Sequence, residues 1–88
     1  MIEVDYYKFE DGSNPIDPYL DGLNPKMRAK VFRTIGLLEE FGTQLRKPHS
    51  EHLSDGIFEL RIKQGSNIGR VLYFFYVGNR AVLTNGFT

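Results

Sequence analysis

Residues 57–85 hold three strand-like runs separated by two turn signals, and no other stretch constrains the fold as much. In Ile57–Lys63, Phe58, Leu60 and Ile62 alternate with Glu59, Arg61 and Lys63, the period-two pattern of a strand with one apolar and one charged face. The glycines of Gly65–Gly69 turn the chain. Arg70–Val77 is so continuously apolar that its strand is expected to be covered on both faces. Gly78-Asn79 reads as a two-residue primed turn into a third strand, Arg80 to about Asn85. Such a turn sets Val77 opposite Arg80, Phe75 opposite Val82, Tyr73 opposite Thr84 and Val71 opposite Gly86. Strands joined this tightly form an antiparallel meander, because parallel neighbours need long crossovers.

What precedes the meander is mixed. Met1–Phe9 is rich in strand formers and stops at Asp11-Gly12-Ser13. Two prolines and an Asp-Gly pair limit the next segment to a short helix, Ile16–Asp21. Asn24-Pro25 is the clearest helix start, with Asn as cap and Pro at the first helical position. Met27, Val31, Ile35 and Leu38 then recur at helical spacing until Gly42 supplies a stop. Residues 43–56 show no period and read as a loop. The expectation is an α+β fold: N-terminal strand, one short and one long helix, then a three-stranded antiparallel meander with the helices on one face. At 88 residues this is one domain, 1–88, burying about 60% of its unfolded surface.

Composition narrows the chemistry. There is no cysteine, so a thiolate metal site, a cysteine nucleophile and a disulfide framework are all excluded. The first residues lack the basic start and apolar stretch of a signal peptide, and no run is long enough to span a bilayer, so a cytoplasmic protein without a membrane partner is expected. Formal charge is zero, but it is unevenly spread: six acids and one lysine stand before Pro25, ten bases and five acids from there on. A basic face can therefore still meet an anionic partner.

Several cations fall where such a face would lie. Lys26, Lys30 and Arg33 are spaced i, i+4 and i+7 on the long helix, with Arg28 nearby, which fits either an ordinary solvated face or one turned to RNA. Arg61, Lys63 and Arg70 gather around one hairpin, next to a segment carrying Arg46, Lys47, His49 and His52. Two histidines alone make a weak metal site, since catalytic zinc usually has three protein ligands; imidazole is better suited to proton transfer. Guanidinium groups grip phosphate oxygens bidentately, and cations aimed at a charged phosphorus transition state lower its barrier. RNA cleavage by the ribose 2′-hydroxyl calls for no metal and no cofactor. Tyr73, beside these cations, offers a ring for base stacking. The competing reading is a soluble outer strand face in which Glu59 and Arg61 merely pair.

The segment from Lys47 to Gly65, followed by Gly69–Phe87, resembles the RelE/HigB-like toxins of bacterial toxin–antitoxin systems, especially their phage-derived subgroup. The residues that carry the likeness are Leu53, Gly56, Phe58, Glu59, Leu60 and Arg61, then Arg70, Tyr73 and Phe74, then Gly86 and Phe87. The resemblance implies a RelE-like fold and a ribosome-dependent endoribonuclease that cuts messenger RNA and is silenced by a cognate antitoxin, commonly of helix-turn-helix type. It places Arg61 and Arg70 at the scissile phosphate. Lys63, His49 and His52 join the catalytic set by proximity, and Lys26, Arg28, Lys30, Arg33, Lys47 and Tyr73 form the expected RNA-binding set. Family members usually continue past Gly-Phe with a lysine-rich segment, so a C-terminally shortened toxin is expected here. That leaves two alternatives open: an antitoxin-binding module without cleavage, and a ParE-like gyrase inhibitor. Loss of a covering segment is further expected to expose Phe74, Phe75, Tyr76 or Phe87 and to favour self-association.

Overall fold

A computed structural model describes every residue from Met1 to Thr88. The elements run β1 (Glu3–Tyr6), α1 (Ile16–Asp21), α2 (Pro25–Phe41), a 3-10 turn at Gly42–Gln44, β2 (Ser50–Ser54), β3 (Ile57–Gln64), β4 (Asn67–Tyr76) and β5 (Arg80–Phe87). One five-stranded sheet has the order β1-β5-β4-β3-β2, antiparallel throughout except that β1 joins β5 in parallel. The α+β expectation holds, with one more strand in the meander than the sequence reading gave.

Local chemistry explains the helices. Asn24 Oδ1 accepts from the Met27 N–H at 2.8 Å and Pro25 opens α2, while Gly42, at φ +54, ends it in a backbone region that side chains disfavour. Asn14 does the same for α1, accepting from the N–H groups of Ile16 and Asp17. The apolar stripe of α2, Met27, Val31, Ile35 and Leu38, is buried together with Ile16 and Leu20 of α1 against Leu60, Ile62, Val71, Tyr73, Ala81 and Leu83 of the sheet. Tyr19 lies across Gly86 and Gly69 of the sheet. A methyl group at Gly69 would stand 2.5 Å from the Tyr19 hydroxyl and 2.7 Å from the Met27 methyl, so this close seating of α1 needs glycine.

Three expectations are corrected. The supposed loop contains β2, which pairs with β3 through a two-residue turn at Asp55-Gly56, both at positive φ (49° and 80°). The primed turn is therefore here and not at Gly78-Asn79. In the β4–β5 hairpin Tyr76 faces Arg80, Phe75 faces Ala81 and Tyr73 faces Leu83, so the connection is the three residues Val77–Asn79. Thr84 then bulges out of the ladder, which returns the register to the expected Val71–Gly86 pair. Finally, β4 is covered on one face only. Val71, Tyr73 and Phe75 face the helices, while Leu72 and Phe74 share the outer face with Val82. Phe75 packs beside Phe58 and Tyr73; Tyr76 and Phe87 are the exposed aromatics of the group.

Candidate nucleic-acid interface

Past Leu60, β3 outruns β2. The Arg61 N–H still donates to the His49 carbonyl at 2.9 Å, but no strand follows along that edge. Ladder alternation turns the backbone of Lys63 to the same side, and its carbonyl accepts from Lys30 Nζ of α2 at 3.0 Å. Between this free edge and α2 lies a cleft of about 260 Å³ lined by Lys30, Arg33, His49, Arg61 and Lys63, with Thr34, Leu37, Pro48 and Ile62. Four cations and an imidazole from three separate parts of the chain converge there, and none of the lining residues is acidic. A concavity whose walls carry four cations and no carboxylate focuses positive potential on an anion.

The outer sheet face continues the charge. Arg61 lies directly opposite Arg70, and Glu51 directly opposite Glu59. Like charges facing across strands repel, and the staggered contacts relieve this: Arg70 Nε sits 3.1 Å from Glu59 Oε1, while Arg61 is 3.8 Å from both Glu59 and Glu51. The Glu59 side chain is only 9% exposed, against 32% and 39% for Arg70 and Arg61. Arg70 is thus tied to a nearly buried carboxylate. Arg61 is held more loosely and borders the cleft.

The remaining sequence candidates separate. Lys26 is exposed on the first turn of α2, away from the cleft lining. Arg28 closes the α1–α2 connection, donating to the Leu20 and Leu23 carbonyls at 2.9 Å each. Lys47 is exposed and pairs with Glu51 at 3.4 Å. His52 does not join His49: it lies within β2 and stacks on Phe58 with ring centroids 4.8 Å apart, whereas His49 sits in the turn that precedes the strand. Tyr73 is 1% exposed, its hydroxyl bonded to Ser50, and burial raises its pKa while the Ser50 contact opposes the rise. A ring so enclosed offers no face to a base. Glu51 escaped sequence reasoning altogether, since only recognition of β2 would have set it opposite Glu59.

A family model for phage-derived, Gp49-like proteins matches residues 18–88. The chain belongs to this family. The Gp49-like proteins are associated with toxin–antitoxin systems, which gives this one a toxin-like assignment. No curated protein matches the chain. The matched span begins inside α1 and takes in α2, the cleft and the whole meander; β1 lies outside it.

Proposed function

We propose that this Gp49-like protein is a toxin of the RelE/HigB type that cleaves messenger RNA on the ribosome and is held in check by a partner antitoxin. The observation that supports this reading best is the acid-free cleft at the free edge of β3, where Lys30, Arg33, His49, Arg61 and Lys63 meet. In the proposed reaction the ribose 2′-oxygen attacks the adjacent phosphorus. A P–O2′ bond forms as the P–O5′ bond breaks, leaving a 2′,3′-cyclic phosphate and a 5′-hydroxyl. Arg61 and Lys63 take the non-bridging oxygens and Lys30 adds to the field, stabilising the charge that grows at phosphorus. His49 takes the proton from the 2′-hydroxyl, and the leaving 5′-oxygen gains one from water, so that the proton count balances. Arg70, through Glu59, acts as a positioning residue for Arg61. Lys26, Arg33 and Lys47 meet phosphates further along the RNA, where contacts add affinity without sequence choice. Arg28, His52 and Tyr73 stand outside the assignment because their side chains are engaged elsewhere.

The test is expression of the chain with and without Arg61→Ala. Growth arrest by the parent, and its relief in a variant that melts within about 4 °C of the parent, is expected, since a change of about 0.5 kcal/mol at a partly exposed cation leaves the fold intact. Undiminished arrest removes Arg61 from the site. A second reading, an antitoxin-binding protein that does not cleave, draws on the Glu59 tie, which leaves Arg70 partly neutralised. It predicts no arrest from the parent chain.

A further inference from the structure

The largest cleft of the molecule is elsewhere. It measures about 720 Å³ and runs along β1, lined by Val4, Tyr6, Phe32, Ile35, Asp5, Lys8 and Glu39. β1 is the end strand of the sheet, and one of its two long sides has no strand neighbour. Glu3 and Tyr7 direct their N–H groups to the Asn79 and Leu83 carbonyls on the β5 side. Alternation along the strand therefore turns the N–H and C=O groups of Val4 and Tyr6 outward. Beside them Phe32 of α2 is 48% exposed. An open edge next to an apolar groove is the arrangement that strand addition requires.

We propose that this edge and groove form a docking site for an extended segment of a partner protein in which apolar and basic residues alternate. The alternation follows from the two faces of β1. On the helix side an added strand would lay its side chains against Val4, Tyr6, Phe32 and Ile35, which favours apolar residues. On the outer side its residues would stand beside Glu3 and Asp5, which share one cation, Arg80, at 3.0 and 2.9 Å. One negative charge is left over, and cross-strand neighbours of opposite sign stabilise. The rim agrees: Asp17 and Glu39 both raise the pKa of Tyr6, after the larger effect of burial, and with Glu3 and Asp5 they outnumber the two nearby cations, Arg80 and Lys8. A second copy of this chain fits poorly, because antiparallel self-pairing of β1 brings Glu3 and Asp5 against their own counterparts. The site is separate from the basic cleft and does not depend on RNA cleavage.

The probe is a capped peptide of about ten residues alternating valine and lysine, titrated into the isotopically labelled full chain. Shifted and exchange-protected amides at Val4 and Tyr6 are expected, with binding weakened about tenfold or more by Phe32→Glu and by glutamate in place of the peptide's lysines. Glu39→Lys, which replaces an acid of the rim by a cation, should weaken binding of the lysine peptide. A peptide carrying proline at alternate positions should not bind, having lost its ladder donors. The proposal fails if the lysine peptide perturbs only the β2 edge or the outer sheet face, if Phe32→Glu changes nothing while the variant's circular dichroism matches the parent, or if no binding occurs at about 1 mM. It also fails if the parent dimerises in sedimentation and Phe32→Glu abolishes this, which would make a second copy the occupant.

Discussion

Glu59→Gln keeps the shape of the side chain and removes its charge, and so tests how the two strand arginines are held. The carboxylate lies 3.1 Å from Arg70 and 3.8 Å from Arg61, and it is only 9% exposed. Removing one member of a fully buried ion pair costs about 3–5 kcal/mol. Both arginines here are roughly one-third exposed, so water screens them and the expected cost falls to about 2 kcal/mol. For a chain of this size that lowers the melting temperature by about 8–16 °C. The two guanidinium groups face each other across the strands and lose their most buried counter-ion, so an external anion should replace it in part. Phosphate at ten times its dissociation constant returns about 1.4 kcal/mol. The assay is thermal unfolding of parent and variant in chloride and in phosphate at matched ionic strength. A variant that melts with the parent, or that gains no more from phosphate than the parent does, would refute the idea that Glu59 is the internal stand-in for a bound phosphate.

Other outcomes follow from the packing. Gly86→Ala drives a methyl group into the Tyr19 ring, with ring atoms at 2.7 Å; a loss of about 1–3 kcal/mol is expected, shrinking to near zero when Tyr19→Ala is combined with it, and an undiminished cost in the double variant would show that the ring is not the obstacle. Tyr73 has its pKa raised by burial, so its neutral form is favoured in the folded chain. That contribution is fully present below the unfolded value of about 10 and is lost as pH rises from there through the folded value. Tyr73→Phe should therefore flatten the alkaline fall in stability, as read by denaturant midpoints between about pH 9 and 11; an unchanged slope would mean that Tyr73 titrates alike in the folded and unfolded chains.

Much of the architecture was legible because local signals agreed with one another. Asn24, Pro25 and Gly42 bracket α2, and the alternation in β3 puts Leu60 and Ile62 in the core. The strand β2 was illegible because Ser50–Ser54 is short, lies at a sheet edge and has polar residues at four of its five positions. Its one clear marker, Asp55-Gly56, looks from the sequence like the end of a loop. The β4–β5 register slipped because two-residue and three-residue connections both want a glycine at positive φ, and Gly78 at +83° satisfies either. For the site, Arg61, Lys63, Lys30, Arg33 and His49 were all named from spacing and charge, yet nothing in the sequence says that a helix and a free strand edge bring these five together. Tyr73 is buried, and His52, though exposed, is stacked on Phe58; both occupy β positions on the helix side of the sheet, and that parity is fixed by register, which the sequence leaves loose.

The most direct measurement mixes the purified chain with ribosomes paused on an end-labelled message and maps the product ends. The account predicts discrete cuts within the translated region, ending in 2′,3′-cyclic phosphate and 5′-hydroxyl, and lost when Arg61 and Lys63 are both replaced by alanine. An intact message, cuts that survive that double replacement, or gyrase-dependent DNA breaks in place of RNA cleavage would contradict it.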